Sequence, residues 1–275
     1  DADPAVDVVV LGTPNDTHHE LALRVAAAGR HLLLEKPLAL SVSDARQVVD
    51  AFAERGLTLL VGHTHRHSDY ARTVSAVLQS GAIGTPRSMR IAITAGWIWG
   101  NWGAWVLDPE RSGGHAFHNG VHLYDLACWW MRDRVTRVVT LGQKITSAAL
   151  GIDDALVATL EFAGGATAVC EISRGERPQT TNLFEIVVHG STGTLVRRWN
   201  SDGAVVLADE FCGPLPAAGA SPFTRQLAVL HDAIRTGTDV FPTNEHAVHA
   251  IAVAEAVQES GRTGAVVDIA AEVAA

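Results

Sequence analysis

A lysine ends an apolar run in the segment "HLLLEKP", residues 31–37. The three leucines predict a buried β-strand, and Pro37 cannot donate to a strand ladder, so we expect the strand to end at Lys36. Pro37 fixes the chain direction there, and the peptide bond that precedes it can adopt the cis form. A partly desolvated amine at a strand end has a lowered pKa and can polarise a hydroxyl or exchange a proton. The alternative is an ordinary surface lysine.

A second polar cluster lies in "SGGHAFHNGVHLYD", residues 112–125. His115, His118, His122 and Asp125 are spaced i, i+3, i+7 and i+10, which places them on one face of a regular helix. Polar groups on one stripe are costly to bury without partners. Because histidine has a pKa near neutrality, the stripe indicates acid–base chemistry or metal binding. Partly exposed histidines at a helix start are the alternative interpretation.

The segment "HTHRH", residues 63–67, keeps a metal site open as an alternative. His63, His65 and His67 alternate, so on an extended segment they would share one side. Together with the helix histidines they could bind zinc or iron and leave a position for water. The rival hypotheses are therefore a metal-dependent hydrolase or lyase, and a sugar-binding homologue without turnover. A metal-binding barrel, however, would need more βα units than this pattern shows.

Strands and helices alternate over the first 64 residues. Hydrophobic patterns predict strands at 6–12, 31–35 and 57–63 and helices at 19–29 and 41–56, with Ser41 or Ser43 as a helix N-cap. This order is typical of right-handed βαβ units in a doubly wound parallel sheet. Ligands bind at the carboxyl ends of such strands, so the loops at 13–15, 35–37 and 63–67 should meet on one rim.

The pattern changes after residue 64. Helices are predicted at 68–81, about 115–131, 222–236 and 244–260, and most of the remaining text is strand-like, with hairpin turns at 164–165 and 191–193. We therefore predict an α/β protein with two parts. Residues 1–64 form the C-terminal part of a Rossmann domain, and residues 65–275 form an α+β domain with an open, mostly antiparallel sheet.

Composition excludes several classes of partner. The 275 residues are 47% hydrophobic and 19% charged, which is typical of a globular protein. The net charge of -9 and the lack of a basic stripe argue against nucleic acid. No apolar run approaches the roughly 20 residues that a membrane span needs. Three scattered cysteines and no secretion signal lead us to expect a cytoplasmic protein.

The segments "TPNDTHHELALRVAAAGRHLLLEKPLA" and "SGGHAFHNGVHLYD" resemble the glucose–fructose oxidoreductase/inositol dehydrogenase (Gfo/Idh/MocA) family. The resemblance runs from about residue 4 to the end. It implies an NAD- or NADP-dependent oxidoreductase with a Rossmann domain and an α/β domain on an open sheet. The implied reaction is hydride transfer to or from a secondary alcohol or carbonyl of a sugar, polyol or cyclic diol. It also implies a homodimer or homotetramer formed through the open sheet.

The resemblance further implies roles for individual residues. Lys36 would lie between nicotinamide and substrate, and His122 matches the catalytic histidine. The family often has an aspartate where this chain has His118, which leaves the base open among these three residues. We favour His122 as the base, Lys36 as the group that orients the hydroxyl, and His118 as a relay member or substrate contact.

The remaining site positions follow from the resemblance, with no metal ligand, except Trp97. The expected substrate contacts are Asp125, Asn119, Arg66 and Trp97. The expected cofactor contacts are Thr13, Pro14, Asn15, His18, Glu35, Lys36 and Pro37. Trp97 is expected as a contact because it belongs to a tryptophan-rich loop, residues 96–111, that could stack on a sugar or an aromatic substrate; ordinary core packing or a subunit contact is the alternative.

The glycine turn G-x-G-x-x-G, with which family members bind the dinucleotide pyrophosphate, does not occur in this sequence. We expect a further segment of about 60 residues to precede the chain, taking about 30 for each βαβ unit; a naturally shortened homologue is the alternative. Without this turn the chain should bind NAD(P) weakly and associate through an exposed strand edge. The choice between NAD and NADP stays open.

Overall fold

The structure is a computed structural model that describes residues 3–96, 104–144, 147–148, 151–176, 182–198, 203–208, 212–216 and 221–270. For residues 203–208 and 212–216 it describes the backbone only. The described residues contain two β-sheets joined by helices. One sheet has three strands and the other has nine.

The small sheet is parallel, as predicted. Its strands, in spatial order, are β1 (Val8–Leu11), β2 (His31–Glu35) and β3 (Leu59–Gly62). Helices α1 (His18–Ala27) and α2 (Val42–Ala53) connect them. The leucines of β2 are buried on both faces, which is the reason for its uniformly apolar sequence. The hydroxyl of Ser41 accepts from the backbone N–H of Asp44, which confirms a predicted N-cap.

The large sheet is open and mostly antiparallel, as predicted. Its strand order is β11-β10-β9-β8-β4-β7-β6-β5-β12. The strands are β4 (Pro86–Gly96), β5 (Val135–Gln143), β6 (Ala155–Phe162), β7 (Thr167–Glu176), β8 (Asn182–Gly190), β9 (Gly193–Arg198), β10 (Gly203–Ala208), β11 (Cys212–Pro216) and β12 (Val267–Asp268). The central pair β4–β7 is parallel and the other described pairs are antiparallel. The predicted turn at 164–165 joins β6 to β7, with Gly165 at φ 82°.

Helices bring the two sheets together. They are α3 (Asp69–Gln79), α4 (Ala104–Leu107), α5 (Pro109–Ser112), α6 (Val121–Met131), α7 (Pro222–Thr236) and α8 (Asn244–Thr263). Helix α8 packs on α6 and β5 of one part and on α2 and β3 of the other. Its Glu255 carboxylate accepts from the backbone N–H of Val42 at the start of α2 (2.8 Å). Within the described ranges, no helix is both long and apolar enough to cross a bilayer.

Two local predictions were wrong. Residues 116–120 form a π-turn ahead of α6, so the regular i, i+3, i+7 face expected for His115, His118 and His122 is broken. Residues 64–67 form a 3₁₀ turn, so the "HTHRH" segment is not extended. A π-helix has more residues per turn than an α-helix, and a 3₁₀ helix has fewer. The histidines of each segment therefore point in directions that neither a regular α-helix nor an extended strand would give.

Candidate active site

Lys36 stands at the carboxyl end of β2, before a cis Lys36–Pro37 bond. Its ammonium donates to the backbone carbonyl of His118 in the π-turn (2.6 Å). Burial lowers the pKa of Lys36 to about 8, the Glu35 carboxylate opposes that shift, and the Arg174 guanidinium adds to it. The amine therefore exchanges its proton close to neutral pH, as expected for a desolvated lysine.

His118 and His122 lie near Lys36 in different surroundings. The His118 ring is 5.6 Å from the ring of Trp105, and its Nδ1 is 3.4 Å from the Asn15 amide nitrogen. The His122 ring meets His65 edge-to-face, with centroids 4.6 Å apart. Burial lowers the pKa of both rings, and the charge of Lys36 lowers them further. Both imidazoles are therefore neutral near pH 7.

A cavity of about 220 Å³ lies beside His122. Its volume is several times the roughly 30 Å³ that one water occupies in the liquid, which is room for one compact polar molecule. The lining residues are His65, Ile93, Asn119, His122, Leu123, Ile172 and Arg174. The cavity thus combines aliphatic side chains with hydrogen-bonding ones, the mixture typical of small-molecule sites.

The polar wall of this cavity is held by a hydrogen-bond chain. Arg174 donates to the Asn119 side-chain oxygen (2.9 Å), and the Asn119 amide nitrogen lies 2.8 Å from Nδ1 of His115. Burial and the Arg174 charge lower the pKa of His115 to about 4, so its ring is neutral and can accept. The Asn119 amide is thereby oriented, with its oxygen toward Arg174.

The predicted cofactor residues form two joined loops. His18 is fully buried between them, with Nδ1 2.7 Å from the Pro37 carbonyl oxygen and Nε2 3.0 Å from that of Thr13. Asn15 donates to the carbonyl of Ser112 (2.8 Å), which ties the first loop to α5. The backbone N–H of Lys36 donates to Glu35 in the second loop (3.3 Å).

These loops fit the nicotinamide end of a dinucleotide. They lie at the carboxyl ends of parallel strands, where such ligands bind, and they border Lys36. The buried Nδ1 of His122 also has no hydrogen-bond partner among the described residues, so a polar atom is available beside the amine. The pyrophosphate-binding glycine turn is not in the sequence, so the fit concerns the nicotinamide end alone.

Arg66 and Asp125 bind each other rather than lining the cavity. The guanidinium donates to both carboxylate oxygens (2.7 Å each), and the side chains are 0% and 1% exposed. His63 completes the cluster, with Nδ1 3.6 Å from Asp125. The geometry favours a structural role for these predicted substrate contacts, because the pair anchors α6 below His122. Trp97, also predicted as a contact, lies outside the described residues.

The histidines of the "HTHRH" segment do not converge. His63 faces Asp125, His65 faces His122, and the His67 carbonyl accepts from Arg225 (2.9 Å). Among the described residues, no group of three or more His, Cys, Asp or Glu side chains is arranged to hold a metal ion. The alternative multi-histidine metal site is therefore not assembled in this part of the chain.

Two polar cavity residues were missed by sequence reasoning. The "HTHRH" pattern indicates His65 only as a metal ligand, and nothing in the sequence singles out Arg174. The apolar alternation of β7 reveals the strand, but no local pattern shows that Arg174 reaches the π-turn, which lies 55 residues earlier in the sequence.

Comparisons with known proteins cover nearly the whole chain. Residues 1–63 match a family model described as an oxidoreductase family with an NAD-binding Rossmann fold, and residues 71–196 match the GFO/IDH/MocA C-terminal domain. The chain is 30% identical to 1,5-anhydro-D-fructose reductase of Ensifer adhaerens over 275 residues, which covers 97% of this chain and 81% of that protein.

Solved structures agree in fold. An oxidoreductase domain protein from Kribbella flavida has a TM-score of 0.87 at 26% identity, covering 98% of this chain and 81% of that one. Levoglucosan dehydrogenase, solved with NADH and levoglucosan, has a TM-score of 0.86 at 22% identity, covering 97% and 81%. At that identity the second likeness concerns the fold alone.

Proposed function

Since the chain belongs to the Gfo/Idh/MocA family of oxidoreductases, we propose that it transfers hydride between a nicotinamide dinucleotide and a secondary alcohol or carbonyl of a small sugar, anhydrosugar or cyclic polyol. The observation that supports this most is that Lys36 and His118 meet close to His122, which lines the 220 Å³ cavity. The bound dinucleotide would supply or accept the hydride. The protein's own task is to orient the substrate and move one proton.

Before substrate binds, the proton that the reaction exchanges resides on Nζ of Lys36. Sequence reasoning favoured His122 as the base, but a proton-transfer group works best with a pKa near the working pH. The pKa of Lys36, about 8, is closer to neutrality than that of His122, which burial holds well below its usual range. Neutral His122 then accepts a hydrogen bond from the substrate hydroxyl and aims it at the amine.

A pH profile separates the two directions of the reaction. Alcohol oxidation requires the site to accept a proton, so kcat/KM should rise with pH and level off above about 8. Carbonyl reduction requires the site to give a proton, so kcat/KM should fall above the same pH. Steady-state rates in both directions, followed by nicotinamide absorbance, check this. A single transition near the ordinary histidine pKa would instead assign the proton to an imidazole.

The substrate class is proposed from the cavity walls and from the relatives. Asn119 and Arg174 offer polar contacts to hydroxyl groups, and Ile93, Leu123 and Ile172 can cover the apolar face of a ring. The 30%-identical relative is named a reductase of 1,5-anhydro-D-fructose, so this compound is the first to test. Levoglucosan, which is bound in a solved structure of the same fold, is the second. The cyclic polyol myo-inositol is the third.

The experiment combines binding with turnover. Fluorescence titrations with NADH and NADPH, carried to high cofactor concentration, measure binding to the chain. At high cofactor concentration the chain should then oxidise NADH or NADPH with 1,5-anhydro-D-fructose, and reduce NAD or NADP with one of the alcohols. No cofactor binding and no turnover on any member of the panel would contradict the proposal. A chelator should leave the rate unchanged.

We further propose roles for the two parts of the chain, a subunit contact and a cellular compartment. Residues 1–64 would bind the cofactor, and residues 65–275 would bind the substrate and form the subunit contact. A second copy would cover the open sheet face, where Leu141 is 70% exposed and its cross-strand neighbour Val157 is 42% exposed. We place the protein in the cytoplasm because its three cysteines are sparse and scattered.

A further inference from the structure

His65 is clamped between the cavity and an aromatic cluster. Its Nδ1 is hydrogen-bonded to the hydroxyl of Tyr70, a buried residue in the first turn of α3. Its ring meets Tyr70 and Phe184 edge-to-face, with centroids 6.0 Å and 5.8 Å away. Tyr70 and Phe184 in turn meet at 4.9 Å. The ring of His65 is therefore fixed on one side, while its other side borders the cavity and His122.

The hydroxyl of Tyr70 keeps its proton. Burial raises the pKa of Tyr70 far above its ordinary value. A hydrogen bond with Ser68 and the Arg197 guanidinium, 4.2 Å from the ring centre, oppose this only in part. A buried O–H must find an acceptor, and Nδ1 of His65 lies at hydrogen-bond distance. The neighbouring Ser68 hydroxyl, which is also within hydrogen-bonding reach of Tyr70, gives its own proton to the His65 carbonyl (2.5 Å). Of the two acceptors near the Tyr70 O–H, the imidazole nitrogen is more basic than the hydroxyl oxygen, so the O–H of Tyr70 is the donor and Nδ1 the acceptor.

This direction determines where the proton of His65 sits. Burial lowers the pKa of His65 to about 4, and the charge of Lys36 lowers it further, so the ring is neutral and carries one proton. If Nδ1 accepts from Tyr70, that proton is on Nε2. The Nε2–H group is then the polar group of His65 on the cavity side, and it is a hydrogen-bond donor.

We propose that Tyr70 fixes His65 as the Nε2–H tautomer, so that His65 donates a hydrogen bond to a substrate oxygen next to the reacting carbon. Tyr70 is thus a positioning residue, and His65 selects substrates that carry an accepting oxygen there. Neutral His122, 4.6 Å away between ring centroids, remains free to accept from the reacting hydroxyl. The second half, on substrate selection, rests on the proposed function, whereas the tautomer does not.

Histidine-¹⁵N NMR of the chain without cofactor tests the tautomer. The chain has 13 histidines, and the signals of His65 are assigned by their loss in His65→Phe. We expect the Nε2–H pattern in the wild type, and no protonation of His65 around neutral pH. In Tyr70→Phe, which keeps the ring against Phe184, the His65 signals should shift toward a mixture of tautomers. An Nδ1–H pattern in the wild type, or unchanged His65 signals in Tyr70→Phe, would overturn the proposal.

A matched control exists because the chain has only two tyrosines. The buried hydroxyl of Tyr124 has no hydrogen-bond partner among the described residues. Tyr124→Phe should therefore leave the His65 signals unchanged, and a change as large as that in Tyr70→Phe would show a general packing effect and count against the proposal.

Kinetics test the second half. Tyr70→Phe should raise KM for an active sugar about tenfold, the value of one neutral hydrogen bond, with kcat changed less than about threefold. A deoxy analogue that lacks the neighbouring oxygen should show no such difference between wild type and variant. If Tyr70→Phe is active and its KM equals that of the wild type, the proposed substrate selection by His65 is wrong. If no member of the panel turns over, the proposed function fails, and the tautomer is still decided by NMR.

Discussion

Lys36→Met is expected to lower kcat about 10²–10⁴-fold in both directions, the range measured for loss of a general acid–base group. Methionine keeps most of the length of the side chain and its packing at the end of β2. It removes the ammonium that donates to the His118 carbonyl and that lowers the pKa of His122. Steady-state kinetics on the first active substrate, with unfolding curves for both proteins, provide the measurement.

The chain offers a matched control, because its only other lysine is Lys144. Lys144→Met removes the same group away from the cavity and should leave kcat unchanged. With ¹³C-labelled lysine, NMR of the wild type shows two side chains, and the one lost in Lys36→Met should titrate near pH 8. Turnover within a few-fold of wild type in Lys36→Met would show that the proton is carried elsewhere.

Asp125→Ala is expected to destabilise the protein by about 3–5 kcal/mol, which is the usual cost of breaking a buried ion pair. The substitution leaves the guanidinium of Arg66 enclosed without its carboxylate, next to Trp129 at 5.2 Å. Urea unfolding at neutral pH measures the change. The exposed pair Arg137–Glu161 is the control, and Glu161→Ala should have a far smaller effect because water screens that pair.

Two further measurements test the same ion pair. The double variant Arg66→Met/Asp125→Leu should recover part of the loss, because no charge then remains buried alone. Although burial raises the pKa of Asp125, Arg66 and His63 hold it below its ordinary value. The pair's contribution is therefore present above the unfolded pKa and is lost as pH falls through the folded pKa. An Asp125→Ala protein as stable as wild type would show that the pair contributes nothing.

Much of the fold could be predicted from local patterns. The uniformly apolar strands, the helices ended by glycine and the N-cap at Ser41 are decided by residues close in sequence, and the structure places them within a few positions of the prediction. Two family-specific motifs, "EKP" and the glycine-led histidine run, were enough to identify the family. Lys36 at a strand end follows from the same local reasoning, since a proline cannot continue a central strand.

The direction of the histidines could not be predicted in this way. A period of 3.6 placed His115, His118 and His122 on one face, but the π-turn at 116–120 changes the period within that segment. The 3₁₀ turn at 64–67 likewise turns His65 toward His122. Such turns depend on packing against other elements, and this packing cannot be deduced from the spacing of the histidines in the sequence.

By itself the sequence determined the family, the order of the elements and the presence of Lys36 at the end of β2. Only the tertiary structure decided which polar groups become partners. Lys36 meets His118 across 82 residues, and Arg66 meets Asp125 across 59. Arg66 is thereby kept out of the cavity lining, and His65 is brought into it. The physical reason is that a buried polar group takes whichever partner the packed sheets and helices bring within hydrogen-bond distance, and that distance has no counterpart along the chain.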